Sequence, residues 1–124
     1  MGTVAIVDQP ARRFQLWAYA AGMGRLLLRS PKGEGSVTRV DVLFQNVKAL
    51  QLATSLPGLT GTEPDAQQHQ RIADATGLLP DEGTRFFVLT GASYEGYVVA
   101  GVCVQAEDDG EYFEPSELWP AGAG

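Results

Sequence analysis

The chain has 124 residues, of which 44% are apolar and 19% charged, and its net charge at pH 7 is −6. That length and composition predict one globular domain spanning residues 1–124, and they exclude a disordered or fibrous protein. No run of about 18 apolar residues occurs, so we expect no transmembrane helix, and the acidic balance argues against nucleic acid as the main partner.

A single cysteine, Cys103, excludes a disulfide bond within the chain and fits a reducing compartment. The first residues reach an acid at Asp8 and contain no basic segment, so we expect no secretory signal peptide. These features predict a cytoplasmic protein with no membrane association.

The first half of the chain predicts strands. Residues 12–20 and 25–30 flank Ala21-Gly22-Met23-Gly24, which is typical of the turn in a β-hairpin. Residues 37–44 alternate in polarity and predict a third strand, and residues 47–52 a fourth. In the third strand Arg39 and Asp41 lie on the face opposite the apolar residues.

Glycine and proline at Pro57, Gly58 and Gly61 interrupt this pattern, and one helix is expected next, over residues 63–76. Thr62 is a suitable N-cap with Asp65 three residues later, and Gly77 is suited to end the helix. The apolar face of the helix is narrow, so we expect it to cover part of a sheet rather than form a core.

Strands are again predicted at residues 85–90 and 97–105. The second of these is apolar on both faces, which favours a central strand, and Gly101 within it indicates a bulge or a bend. Tyr112 and Phe113 are expected to add a short edge strand, and residues 119–124 to form a flexible tail.

These elements predict an α+β fold. Six or seven antiparallel strands, with one helix inserted between the fourth and the fifth, are expected to form a strongly curved sheet or a half-open barrel.

The predicted hairpin creates a candidate binding surface that combines aromatic and basic side chains. With a regular register, alternate residues of its two strands share one face, and Arg39 extends that face on the next strand. Arginine above an aromatic ring gives cation–π contacts, and such a surface suits anionic or aromatic partners. The alternative is that the aromatic residues are core and the arginines line its rim. The proposed surface consists of Trp17, Tyr19, Arg25 and Arg29.

Charge is sorted along the chain. Residues 1–48 hold seven of the nine basic residues and have a net charge of +4, whereas residues 49–124 have a net charge of −10. Six of the acids lie in residues 107–117. This acidic segment is a solvated turn or a docking surface for a basic protein, and metal binding is the remaining alternative. The residues expected to carry such docking are Asp108, Asp109, Glu111 and Tyr112.

No catalytic, cofactor-binding or metal-binding motif stands out. His69 is the only histidine, and Cys103 lies among valines, where a buried and inert thiol is expected. We therefore expect no cofactor, no metal and no catalytic pair formed by these two residues.

Three segments carry a resemblance: residues 14–19, 24–32 and 40–47. In them the chain is similar to small uncharacterised bacterial proteins, some encoded beside secreted toxins and presumed to be immunity proteins. The resemblance extends over residues 14–60 and 85–104, and it is a texture of hydrophobic and basic residues without a catalytic signature. It implies a protein partner and transfers no site residue.

Three functions remain open from the sequence. The leading hypothesis is a non-enzymatic binding protein whose partner is a protein with a basic surface. The second is a small-ligand-binding protein or enzyme with a pocket on the concave side of the sheet, lined by Trp17, Phe87 and Tyr97. The third is a structural subunit of a homo-oligomer, in which the two charge-sorted halves pair between chains.

Overall fold

A computed structural model describes residues 6–33, 36–111 and 118. These residues form eight strands and one α-helix, with a short 3-10 turn at Ala21–Met23. The helix, α1, spans Ala66–Thr76 and lies between the fifth and sixth strands. The strands are β1 (Val7–Ala20), β2 (Arg25–Ser30), β3 (Arg39–Gln45), β4 (Ala49–Gln51), β5 (Ser55–Thr62), β6 (Arg85–Thr90), β7 (Glu95–Ala100) and β8 (Val102–Asp108).

All eight strands belong to one sheet, and every pair of neighbours is antiparallel. Their order across the sheet is β4-β7-β6-β5-β1-β2-β3-β8, so β4 and β8 are its edges. The predicted α+β class, with antiparallel strands and one helix, is confirmed. The predicted count of six or seven strands is wrong.

The curvature also differs from the prediction, and the sheet formed by the described residues is not closed. Gly101 separates β7 from β8, although these two strands lie near opposite ends of the strand order. Residues 46–48 likewise separate β3 from β4, which also lie near opposite ends of the strand order, and Asn46 has a φ of 58°. The strand predicted at 97–105 is therefore two strands with different neighbours.

The main hydrophobic core covers one face of this sheet. Phe44 of β3 meets Phe87 of β6 edge to face, with ring centroids 5.3 Å apart. A smaller cluster on the other face of β6 and β7 packs under α1, where Ile72 is the only fully buried helical residue. The helix thus covers part of the sheet, as its narrow apolar face predicts. The main core consists of Val7, Phe14, Leu26, Leu28, Val40, Val42, Phe44, Leu56, Leu59, Phe87, Leu89, Val98 and Ala100.

β2 and β3 are buried on both faces, and so are residues 86–89 of β6 and 98–100 of β7. The doubly covered strand predicted at 97–105 is therefore confirmed for residues 98–100 and wrong for the part that forms β8. Every residue from Leu26 to Ser30 and from Arg39 to Phe44 is buried. In β8, by contrast, four of the seven residues are exposed.

One strand, β5, was not predicted, because it contains both Pro57 and Gly58. Gly58 has a φ of 84°, and a Cβ at this position would lie 2.8 Å from the carbonyl oxygen of Pro10 on β1. The strand is accommodated by an irregular register with β1, which shifts between Gln9 and Arg13.

The helix begins three residues later than predicted. Asp65 is the N-cap, and its carboxylate accepts a hydrogen bond from the backbone N–H of Gln68, whose side chain in turn accepts one from the backbone N–H of Asp65. Thr62, the predicted cap, belongs to β5. Gly77 ends the helix in the left-handed conformation, as predicted.

Candidate binding surfaces

The predicted aromatic-basic surface is divided by a β-bulge. The register between β1 and β2 shifts at Trp17, so that Tyr19 lies opposite Leu26, and Ala20 lies opposite Arg25. Residues directly opposite each other share a face, so Tyr19 is on the face opposite to that of Arg25. The prediction of one continuous surface is therefore wrong.

Arg29, a member of the predicted surface, does not present its charge to solvent. Its Nε lies 2.8 Å from Oδ1 of Asp41 and its Nη2 3.2 Å from Oδ2, and both residues are 1% exposed. The guanidinium carbon also lies 5.0 Å from the centroid of the Trp17 ring. Arg29 is therefore a buried member of a bidentate ion pair with Asp41. Of the other members, Tyr19 is exposed and both Trp17 and Arg25 are half-buried.

Asp108, predicted to be solvated, is instead paired within the chain. Its carboxylate binds Arg39 through two hydrogen bonds of 2.9 and 3.0 Å, and Arg39 is 2% exposed. The hydrogen bond from Arg39 lowers the pKa of Asp108, and the backbone N–H of Gly110 contributes to the same shift. Asp108, near the start of the acidic segment, is therefore bonded to β3 and does not present a free charge.

The residues around Asp108 also contact the basic half of the chain. Nζ of Lys32 lies 2.9 Å from Glu111, and it also donates to the carbonyl oxygen of Asp109. The hydroxyl of Thr38 donates to Glu107 at 2.6 Å. The two charge-sorted halves therefore pair within one molecule, while the carboxylates of Asp109 and Glu111 remain exposed. Tyr112 lies outside the described residues.

The strand that leads into the acidic segment, β8, is an edge. It pairs with β3 on one side, and among the described residues no strand pairs with its other side. Val102 and Val104 are 44% and 38% exposed and lie on the same face of the strand. An edge strand with exposed apolar side chains is a template for pairing with another chain.

The predicted pocket lined by Trp17, Phe87 and Tyr97 is not formed. Phe87 is 1% exposed within the main core, whereas Tyr97 belongs to the cluster under α1 on the opposite face of the sheet. Tyr97 instead lines a cleft of about 200 Å³ between α1 and β7, where Arg71 pairs with Glu95 at 3.1 Å.

His69 and Cys103 are also on opposite faces of the sheet. His69 packs against Phe86 of the cluster under α1, with ring centroids 5.2 Å apart, whereas Cys103 packs against the main core. Burial raises the pKa of the Cys103 thiol to about 12, with a smaller opposing effect of Arg85. In the described part of the chain no three His, Cys, Asp or Glu residues are grouped as metal ligands. No helix there has the length and apolar character to span a membrane.

Comparison with known proteins gives no relative of this chain. No family model matches it, and no curated protein or solved structure does so either. The resemblance to immunity proteins stays a prediction, and function has to be inferred from the surfaces themselves.

A second cleft, which is lined partly by basic residues, was not predicted from the sequence. It measures about 530 Å³ and lies between β1 and the turn that follows β2, with Arg12, Arg13 and Lys32 in its lining. Both arginines belong to a segment correctly predicted as a strand. Regular alternation, however, places neighbouring residues on opposite faces, so nothing in the sequence pattern brings these two together.

Proposed function

We propose that this protein is a non-enzymatic, cytoplasmic binding protein that engages a basic protein partner through the outer edge of β8 and the acidic residues that follow it. The observation that carries the proposal is the outer edge of β8, which pairs with no strand in the described part of the chain and has Val102 and Val104 exposed beside it. An immunity-like role, as an inhibitor of a basic protein, is the specific form that the sequence resemblance favours.

The backbone of β8 supplies the affinity in this proposal. Every second residue of an edge strand directs its N–H and C=O groups outward, and an extended segment of a partner satisfies them by adding a strand. Val102 and Val104 supply apolar contact on one face of the added strand. These two valines are exposed although burial is the usual state of that residue type.

The exposed acidic residues at the end of β8 favour a partner that carries positive charge. Glu107, Asp109 and Glu111 are exposed, and the whole chain carries a net charge of −6. A partner segment with lysine or arginine meets complementary charge here, whereas an acidic segment is repelled. Complementary charge chiefly increases the rate of association.

The experiment uses a short synthetic peptide of alternating valine and lysine, followed by nuclear magnetic resonance of the backbone amides. The peptide is expected to shift the signals of β8 and to leave those of β4, the opposite edge, unchanged. Replacing both Val102 and Val104 by lysine should abolish the shifts. Val37→Lys is the matched control, because Val37 is 84% exposed outside any strand.

Two results contradict the proposal. One is equal binding of a valine–glutamate peptide, which removes the role of charge. The other is a concentration-dependent dimer, detected by analytical sedimentation, that Val104→Lys converts to monomer. In that case the edge of β8 binds a second copy of the chain. Pairing of the charge-sorted halves between chains, the third hypothesis from the sequence, would compete with pairing within one molecule. Arg39–Asp108 and Lys32–Glu111 are pairs of this second kind.

A further inference from the structure

The basic cleft between β1 and the turn after β2 contains two adjacent arginines, Arg12 and Arg13. In a regular strand they point to opposite faces. Here the register between β1 and β5 advances by four residues on β1, from Gln9 to Arg13, and by only two on β5, from Leu59 to Pro57. The extra residues form a bulge just before Arg13, and both arginines line one cleft.

Within the described ranges, Arg12 is held by uncharged groups and contacts no carboxylate. Its Nε lies 3.2 Å from Oγ of Ser30, and its Nη2 donates to the carbonyl oxygen of Thr38 at 2.6 Å. Ser30 is 4% exposed, so this hydroxyl is a fixed part of the wall. Such an anchored guanidinium loses little freedom when it binds a ligand, and preorganisation of this kind favours affinity.

Arg13 likewise has no carboxylate partner among the described residues. It is exposed, and its Nη1 donates only to Oγ of Ser55, at 3.3 Å. In the same part of the chain Arg29, Arg39, Arg71 and Arg85 each contact an Asp or Glu side chain. Acids outnumber bases by fifteen to nine in the sequence, so two neighbouring arginines without such contact mark a site of positive potential.

We propose that this cleft binds the phosphate group of a small molecule between Arg12 and Arg13. Guanidinium groups match the oxygens of phosphate in paired hydrogen bonds. A volume of about 530 Å³ is that of a small-molecule site. The net charge of −6 disfavours an extended polyanion such as a nucleic acid.

Lys32 lies at the rim of the cleft with its charge already engaged. It contacts Glu111 at 2.9 Å, and the Glu111 side chain is 71% exposed. We therefore assign the main contacts with the phosphate to the two arginines and a weaker contact to Lys32. This inference does not depend on the proposed protein partner, because it uses different residues.

The test is titration with inorganic phosphate and with phosphoserine at constant ionic strength, followed by calorimetry and by amide shifts. Both probes are expected to bind saturably and to shift the signals of residues 11–15 and 30–33. Tighter binding of phosphoserine than of phosphate assigns the site to a phosphomonoester, and the reverse order assigns it to the free ion.

Arg13→Gln is expected to weaken binding about 10- to 100-fold, the effect of losing one charge-assisted contact. Its matched control is Arg71→Gln, which makes the same change of charge at an exposed site in the other cleft and should leave binding unchanged. Arg12→Gln also removes contacts within the fold, so Arg13→Gln is the decisive variant. The proposal is overturned if neither probe saturates, or if the two variants weaken binding equally.

Discussion

Individual residues of this protein show how buried cations are stabilised. Arg29 and Arg39 are both almost fully buried, and each forms a bidentate pair with an aspartate. The partner of Arg29 is as buried as the arginine itself, whereas Asp108, the partner of Arg39, is 26% exposed. Breaking such a pair on one side leaves the other charge without compensation, and that penalty exceeds the value of the pair itself.

For this reason we predict that Asp108→Asn lowers the free energy of unfolding by about 1–3 kcal/mol, measured by urea denaturation. Asp109→Asn is the control, because the Asp109 side chain is exposed and only its backbone oxygen is bonded. The pKa of Asp108 is lowered in the folded state, so its contribution is present above its ordinary pKa and disappears as the pH falls through the lowered value. The variant should lack this part of the acid dependence. Equal stability of the two variants would show that Arg39 does not need the carboxylate.

A second prediction concerns Cys103. Cys103→Ala should fold normally, retain binding and lose about 1 kcal/mol of stability through altered packing. Burial raises the pKa of this thiol from 9.0 to about 12, so the unfolded chain ionises first. The associated stability is complete below pH 9 and is lost as the pH rises toward 12. The wild type should therefore lose more stability over this range than the variant.

Thiol labelling provides the complementary measurement for Cys103. In the native state at neutral pH it should be slow, since the thiolate is the reactive form. Rapid labelling that disappears together with binding when His69 is replaced would instead restore the idea of a reactive cysteine–histidine pair.

At the scale of elements, sequence patterns predicted best where local signals agreed. The bounds of β2 and β6 were predicted to the residue, because each is a short apolar run between clear turns. β5 was missed because Pro57 and Gly58 normally interrupt strands, and only the shape of β1 beside them makes a strand possible. The helix cap moved from Thr62 to Asp65 because β5 extends through Thr62.

The candidate site was less predictable than the elements. Alternation correctly placed Arg39 and Asp41 on one face of β3, but no local pattern reveals that this face is buried. The bulge at Trp17 moved Tyr19 to the opposite face, since a shift of one residue inverts every later side chain. The bulge between Gln9 and Arg13 likewise depends on the partner strand, which is distant in sequence.

The bend at Gly101 gives the third prediction. A Cβ at this position would lie 3.1 Å from the carbonyl oxygen of Gly83 and 3.3 Å from the side chain of Asn46. Gly101→Ala should therefore lower stability by about 1–3 kcal/mol through crowding at the bend. Gly22→Ala is the matched control, because no atom lies within 4 Å of its Cβ. Thermal unfolding of both variants is the test. An unchanged melting temperature for Gly101→Ala would show that the bend accommodates the added methyl group.

At the scale of the whole molecule, the sorting of charge along the sequence does not produce two separate charged halves in space. β3 and β8 lie side by side, so Arg39 meets Asp108, and Lys32 meets Glu111 close by. What remains exposed at the end of β8 is acidic, chiefly Asp109 and the carboxylate of Glu107.

The fourth prediction uses these two residues to separate binding from folding. The double variant Glu107→Gln, Asp109→Asn should slow association with the valine–lysine peptide and make it less sensitive to salt, because electrostatic attraction acts mainly on the association rate. Stopped-flow measurements at several salt concentrations provide the test. Stability should change little, since exposed charges contribute only about 0.2–1 kcal/mol. A lower melting temperature with an unchanged association rate would contradict docking at this edge.

The neighbours β3 and β8 are also separated by most of the second half of the chain, and this matters during synthesis. A ribosome adds about 5–20 residues per second, so β8 is completed roughly 3–13 s after β3. Over that interval the apolar residues of β3 form an open edge that is prone to association between nascent chains. Arg39 interrupts this edge with a positive charge before Asp108 has been made. We therefore expect the guanidinium that pairs with Asp108 in the finished sheet to act first as a gatekeeper against aggregation.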